Sequence, residues 1–113
     1  MIDVLLYTNR ADEYVGFQMK GHAEYAQYGQ DIVCSAVSAL VINTINSVEQ
    51  FTEDAFESTV QEEDGVVCFA ITSRPVSASS KLLLNSLALG LQGIEAQYGK
   101  KHVNIHFKRK QEV

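Results

Sequence analysis

The 113 residues contain no tryptophan, one proline and only two cysteines. Cys34 and Cys68 form no CxxC pair and have no histidine at metal-ligand spacing, which argues against a disulfide framework and a structural zinc site. A reduced, cytoplasmic setting is expected. Positive charge is also scarce: 9 Lys and Arg against 14 Asp and Glu leave a net charge of -5, and the basic residues cluster only at Lys108, Arg109 and Lys110. Such a chain lacks a broad nucleic-acid footprint, so no direct nucleic-acid partner is expected. The N-terminal stretch MIDVLLYTNRADEY lacks a basic leading region and meets charge at Asp3. No apolar run reads as a membrane span, so neither a secretory leader nor a membrane anchor is expected.

Apolar residues, by contrast, are plentiful enough for a conventional core. A chain of this length buries roughly two-thirds of the surface its unfolded form exposes. No linker, low-complexity tract or repeat divides it, so one domain over 1–113 is expected. MIDVLLYT and YVGFQMK alternate, with Ile2, Val4, Leu6 and then Val15, Phe17, Met19 on one face, and read as a hairpin. Residues 21–30 carry Gly21, Gly29 and two tyrosines without apolar period and read as a loop. From Asp31 to Phe51 apolar residues recur at three- and four-residue spacing around more than one stripe, predicting a largely buried helix.

A second hairpin turns at Asp64-Gly65, with Phe56 and Val60 inward on one arm and Val67, Phe69 and Ile71 on the other. Pro75 and Ser77, Ser79 and Ser80 announce a helix with the stripe Leu83, Leu87, Leu91, Ile94, Tyr98, stopped by Gly99. Gly90 and Gly93 inside it imply a close backbone neighbour, since each costs about 1 kcal/mol against alanine. HVNIHF closes the chain as a strand with Val103, Ile105 and Phe107 inward. The order is ββαββαβ: an α+β fold with a mainly antiparallel sheet of five strands and two principal helices.

One stretch carries chemistry. GHAEYAQYGQDIVCSAVS sets His22 twelve residues before Cys34, at the start of the first helix. Cysteine attacks a carbonyl as the thiolate, so its ordinary pKa of about 8.5 must be lowered or a base placed beside it. With Asp31 as N-cap, Cys34 is the third helical residue, where free amides and the helix dipole favour an anion. As an imidazolium, His22 can pair with the thiolate and then protonate a leaving amine. Ser38 shares the face of Cys34 one turn on; its hydroxyl either reaches the site or bonds a carbonyl one turn back. Spacing alone leaves two readings open, a reactive pair or a packed helix cysteine near a loop histidine.

The string adds more. Gly21-His22-Ala23, Gly29, Asp31-Ile32-Val33-Cys34 and the small-residue run Ser35-Ala36-Val37-Ser38 closely resemble the ribosomal-processing cysteine protease family of bacteria. GFQMKGHA, NTINSVEQF and GLQGIEAQYGKKHVNI extend the resemblance over essentially the whole chain; Ser35 departs from the more usual alanine. The resemblance implies a homodimeric cysteine endopeptidase that cuts a short N-terminal extension from a large-subunit ribosomal protein. It implies His22 and Cys34 as the catalytic dyad, Asp31 and Ser38 as supporting positions, and no cofactor or metal. Tyr25 and Tyr28, in the glycine-bounded loop, become candidate aromatic walls for the substrate extension.

Other readings draw on the same residues. A non-catalytic dimeric accessory factor in ribosome assembly would tolerate loss of Cys34, and a thiol redox protein would need Cys68 as its resolving partner. Cys68 reads as a packing residue in a strand apolar on both faces, and Glu62, Glu63 and Asp64 as a solvated turn. His102 and His106, roughly 13 Å apart along a strand, read as surface residues.

Overall fold

The computed structural model describes residues 1–21, 30–61 and 65–110. Its elements follow the expected order: β1 (Ile2–Thr8), β2 (Tyr14–Lys20), α1 (Gln30–Phe51), β3 (Phe56–Gln61), β4 (Val66–Ile71), α2 (Ala78–Tyr98) and β5 (Val103–Arg109). The strands form one sheet in the order β3-β4-β2-β1-β5. All neighbours are antiparallel except β1 and β5, which run parallel from Ile2 beside Val103 to Thr8 beside Arg109.

Alternation along the strands explains why one sheet face is covered. Ile2, Val4 and Leu6 of β1, Val15, Phe17 and Met19 of β2, and Val67, Phe69 and Ile71 of β4 are all buried. They share one core with Val33, Val37, Val41 and Val48 of α1 and Leu84, Leu87, Ala88 and Leu91 of α2. The Phe17 and Phe69 rings stack across β2 and β4 with centroids 5.2 Å apart. At about 1.5–3 kcal/mol per fully buried large side chain, this layer is the main source of stability.

Several expected inward residues are not covered. Val60 is 53% exposed because β3 is an edge strand whose side chains extend past the helix layer. Phe107 is 52% exposed near the end of the opposite edge strand, where its ring lies 6.4 Å from that of Tyr14. On α2 the stripe omitted Leu84, which is fully buried, while Leu83 is half-buried. A Cβ on Gly90 would lie 2.9 Å from Leu40 Cδ1, so the neighbour there is the end of an α1 side chain and not the backbone that was expected. Around Gly93 a Cβ would meet nothing within 4 Å, so helix packing does not require that glycine.

By length and composition Ile32–Phe51 of α1 would suffice to cross a membrane, more than the sequence reading allowed. The core helix of a soluble protein meets the same criterion, and the valines of α1 are spent against the sheet. The tip of the second hairpin, with Glu62, Glu63 and Asp64, lies outside the described residues.

Topology sets what gathers at each end of the sheet. Because β2 and β1 are antiparallel, β2 finishes where β1 begins; β4 and β5 begin there too. The chain leaves β2 at Gly21 and re-enters as α1, so the first turn of α1 belongs to that same end.

Candidate active site

The site is built on this end. Gly21 follows β2 with φ at +112°, and its N–H donates to the Gly65 carbonyl at 3.1 Å. Ile2 N–H donates to the His102 carbonyl at 3.0 Å, drawing the start of β5 to the start of β1. His22 is the next residue after Gly21, and it lies outside the described residues with Tyr25 and Tyr28.

The helix opens at Gln30, one residue before Asp31, so Asp31 belongs to the first turn and is not the residue that precedes it. The Asp31 side chain also lies outside the described residues. Cys34 is therefore the fifth helical residue, just past the first turn. The amides of the first turn, which have no carbonyl of their own helix to bond, lie N-terminal to the sulfur-bearing residue.

Cys34 is a free thiol, half-buried against the core between the buried Val33 and Val37. Ser38, also half-buried, follows four residues on, the spacing at which helix side chains meet. Back-bonding of a hydroxyl to the preceding turn occurs further along α1, where Thr44 Oγ1 donates to the Leu40 carbonyl at 2.7 Å. It occurs again where Thr52 Oγ1 donates to Val48 at 2.7 Å.

Cys68 is half-buried on the sheet face away from the helices, lining a shallow cavity of about 230 Å³ with Tyr7, Glu57, Thr59, Ala70 and Lys110. The cysteine expected to serve packing alone thus borders open space, and alternation in VVCFAI was the signal for its outward face. His106 is a surface residue, with Nε2 3.6 Å from Asp3 Oδ1. His102 is half-buried, correcting its reading as a surface residue, because it sits where β5 joins β1. Among the described residues no cluster of His, Cys, Asp and Glu could hold a metal ion.

A half-buried thiol one turn into a helix, at the sheet end where the chain leaves for a histidine, suits a cysteine peptidase, and comparison establishes that class. A profile of the family described as Cysteine protease Prp matches residues 1–104. The chain belongs to this family and is a cysteine peptidase. It is 28% identical over 109 residues to the Staphylococcus aureus ribosomal processing cysteine protease Prp, covering 96% of this chain and 100% of that protein. The Bacillus subtilis protein of the same name is 27% identical over 101 residues, covering 87% of this chain and 90% of its own. A crystal structure of the S. aureus protease with a covalently linked product peptide superposes with a TM-score of 0.84 at 25% identity, covering 96% of this chain and 100% of that one.

Proposed function

We propose that this cysteine peptidase is an endopeptidase that removes a short N-terminal extension from a large-subunit bacterial ribosomal protein, with Cys34 as nucleophile and His22 as proton carrier. The observation that carries the reading is the place of Cys34, half-buried and one turn into α1, at the sheet end where Gly21 hands the chain to His22. The names of the relatives support the substrate class: both are ribosomal processing proteases.

In this mechanism the thiolate of Cys34 attacks the scissile carbonyl carbon, and the carbonyl π electrons move to oxygen. The oxyanion takes hydrogen bonds from unpartnered first-turn amides, the donors a developing negative charge requires. The C–N bond breaks as the His22 imidazolium gives its proton to the leaving amine, freeing the mature ribosomal protein and leaving the extension as a thioester on Cys34. Neutral His22 then takes a proton from water, the hydroxide attacks the thioester, and the thiolate departs. No cofactor or metal enters the cycle.

Asp31 supports the first turn as an acidic residue near the positive helix end, and Ser38 faces the thiol from the next turn. Tyr25 and Tyr28 form apolar walls for the extension. The enzyme works in the cytoplasm as one domain, with no nucleic-acid contact of its own, and as a homodimer. Support for self-association comes from α2: Leu82 and Leu89 are 70% and 73% exposed on a stretch with no charged residue from Leu82 to Ile94. In a protein of net charge -5, this is a surface on which two copies meet without like-charge repulsion.

The test is mass spectrometry of the extended ribosomal protein precursor incubated with wild type and with Cys34→Ala. Cleavage at one site by wild type alone is expected. Uncut precursor with folded, reduced wild type overturns the substrate assignment; cleavage by Cys34→Ala overturns the nucleophile.

A further inference from the structure

A side chain at position 21 is excluded in two independent ways. The backbone there has φ at +112°, a region L residues rarely adopt. A Cβ built on Gly21 would also fall inside 3.0 Å of the Met1 carbonyl oxygen and 3.3 Å from Ile2 Cα, both backbone atoms. Backbone cannot rotate aside as a side chain can. The wall is held in place as well: Ile2 N–H is bonded to the His102 carbonyl at 3.0 Å, and Asn104 Nδ2 lies 2.7 Å from Met1 Sδ.

From the other side the Gly21 N–H is fixed to the carbonyl of Gly65, which itself has φ at +62° at the head of β4. The starts of β1, β4 and β5 thus enclose the last backbone unit before His22. From these contacts we infer that Gly21 is a positioning residue for the proposed reaction: its missing side chain lets the end of β2 pass beneath the Met1 carbonyl, and so sets the direction in which the chain leaves the sheet ahead of His22. The inference rests on the reading of His22 and Cys34 as the reacting pair. Relief of the clash requires the 21–22 peptide to turn or shift, and a displacement near 1 Å between reacting groups costs about 100-fold in rate.

The test uses the handedness of the restriction. Cys34 is a natural junction for joining a synthetic 1–33 thioester to a recombinant 34–113 segment, which permits Gly21→Ala and Gly21→D-Ala in the full chain. A D residue favours positive φ, and its methyl group points away from the side occupied by the Met1 carbonyl. Each protein is assayed on a synthetic peptide spanning the extension's cleavage site. In parallel, alkylation of Cys34 by iodoacetamide is measured by mass spectrometry, with Cys68 in the same molecule as reference thiol.

Gly21→Ala is expected to lower kcat about 100-fold with KM little changed, and to slow alkylation of Cys34 relative to Cys68. Gly21→D-Ala is expected to keep kcat within about threefold of wild type. A Gly21→Ala enzyme with wild-type kcat, or one that loses activity with the Cys34-to-Cys68 alkylation ratio intact, overturns the inference. If Gly21→Ala does not fold, the D variant decides: retained kcat and alkylation ratio support it, and their loss overturns it. Absence of Cys34-dependent cleavage in the ligated wild type instead refutes the reading on which the inference rests.

Discussion

The two long helices begin at opposite ends of the sheet and use their first turns differently. At the start of α2 the positive end is satisfied by the protein itself. Ser77 caps the helix, its Oγ accepting from Ser80 N at 3.1 Å. Asp54, between α1 and β3, accepts from Ser77 N at 3.2 Å and from the Ser77 and Ser80 hydroxyls at 2.5 Å each, while Ser73 Oγ donates to its other oxygen at 3.2 Å. On α1 the half-buried Cys34 thiol lies one turn in, as the fifth helical residue. The same backbone dipole holds a corner together at one end and, in the proposed mechanism, serves a reacting group at the other.

Several substitutions break or sharpen this contrast. The largest effect is expected from Cys34→Ser, which keeps size and hydrogen bonding but replaces the proposed nucleophile: peptide cleavage should fall by about 10⁴-fold or more, read as kcat/KM, with the melting temperature little changed. Asp54→Ala should do the reverse. It leaves the Ser77 and Ser80 hydroxyls and the Ser77 amide without their acceptor and should cost about 2 kcal/mol of stability, seen in urea melts, with kcat retained by the fraction that is folded.

Asp54 also predicts a pH dependence. Burial alone would raise its pKa, but hydrogen bonds from Ser77, Ser80 and Ser73 outweigh burial and hold it below the ordinary 3.8. The unfolded chain therefore takes up the proton first as pH falls. The stability from Asp54 is complete above its unfolded pKa and disappears as pH drops through the lower, folded value. The difference in unfolding free energy between wild type and Asp54→Asn should stay constant from neutral pH to about pH 5 and shrink in more acid solution.

Smaller effects should follow on the helix surfaces. Leu89→Glu places a charge on the uncharged outer face of α2 and should convert dimer to monomer in light scattering; a wild type already monomeric would refute the homodimer, and a dimeric variant would move its interface elsewhere. The smallest effect is expected from Lys81→Ala, which removes a 2.6 Å ion pair to Glu13 whose partners are both substantially exposed. Its melting temperature should differ little from that of wild type, and less still in high salt.

Legibility in the sequence followed the range of the interactions. Alternation in MIDVLLYT and the three-to-four spacing after Asp31 placed the strands and helices, because each depends on side chains a few residues apart. Ser77 was legible among the serines at the second helix start for the same reason. Its ligand Asp54 was not, because the two are 23 residues apart and meet only after β3 and β4 have paired. With Asp31 as the cap the helix would begin at Ile32, whereas it begins two residues earlier at Gln30, because an acidic residue suits the first turn as well as the cap.

What the chain determined by itself, then, is its element order and the presence of a thiol one turn into a helix, twelve residues after a histidine. Local periodicity and turn chemistry suffice for these. Tertiary structure decided that β5 lies parallel beside β1, that β3 is an edge with Val60 in solvent, that Gly90 faces Leu40 while Gly93 faces open space, and that the Met1 carbonyl closes over Gly21. Each of these depends on backbones far apart in the chain reaching one place, and no local pattern of residues encodes which strand or helix will be the neighbour.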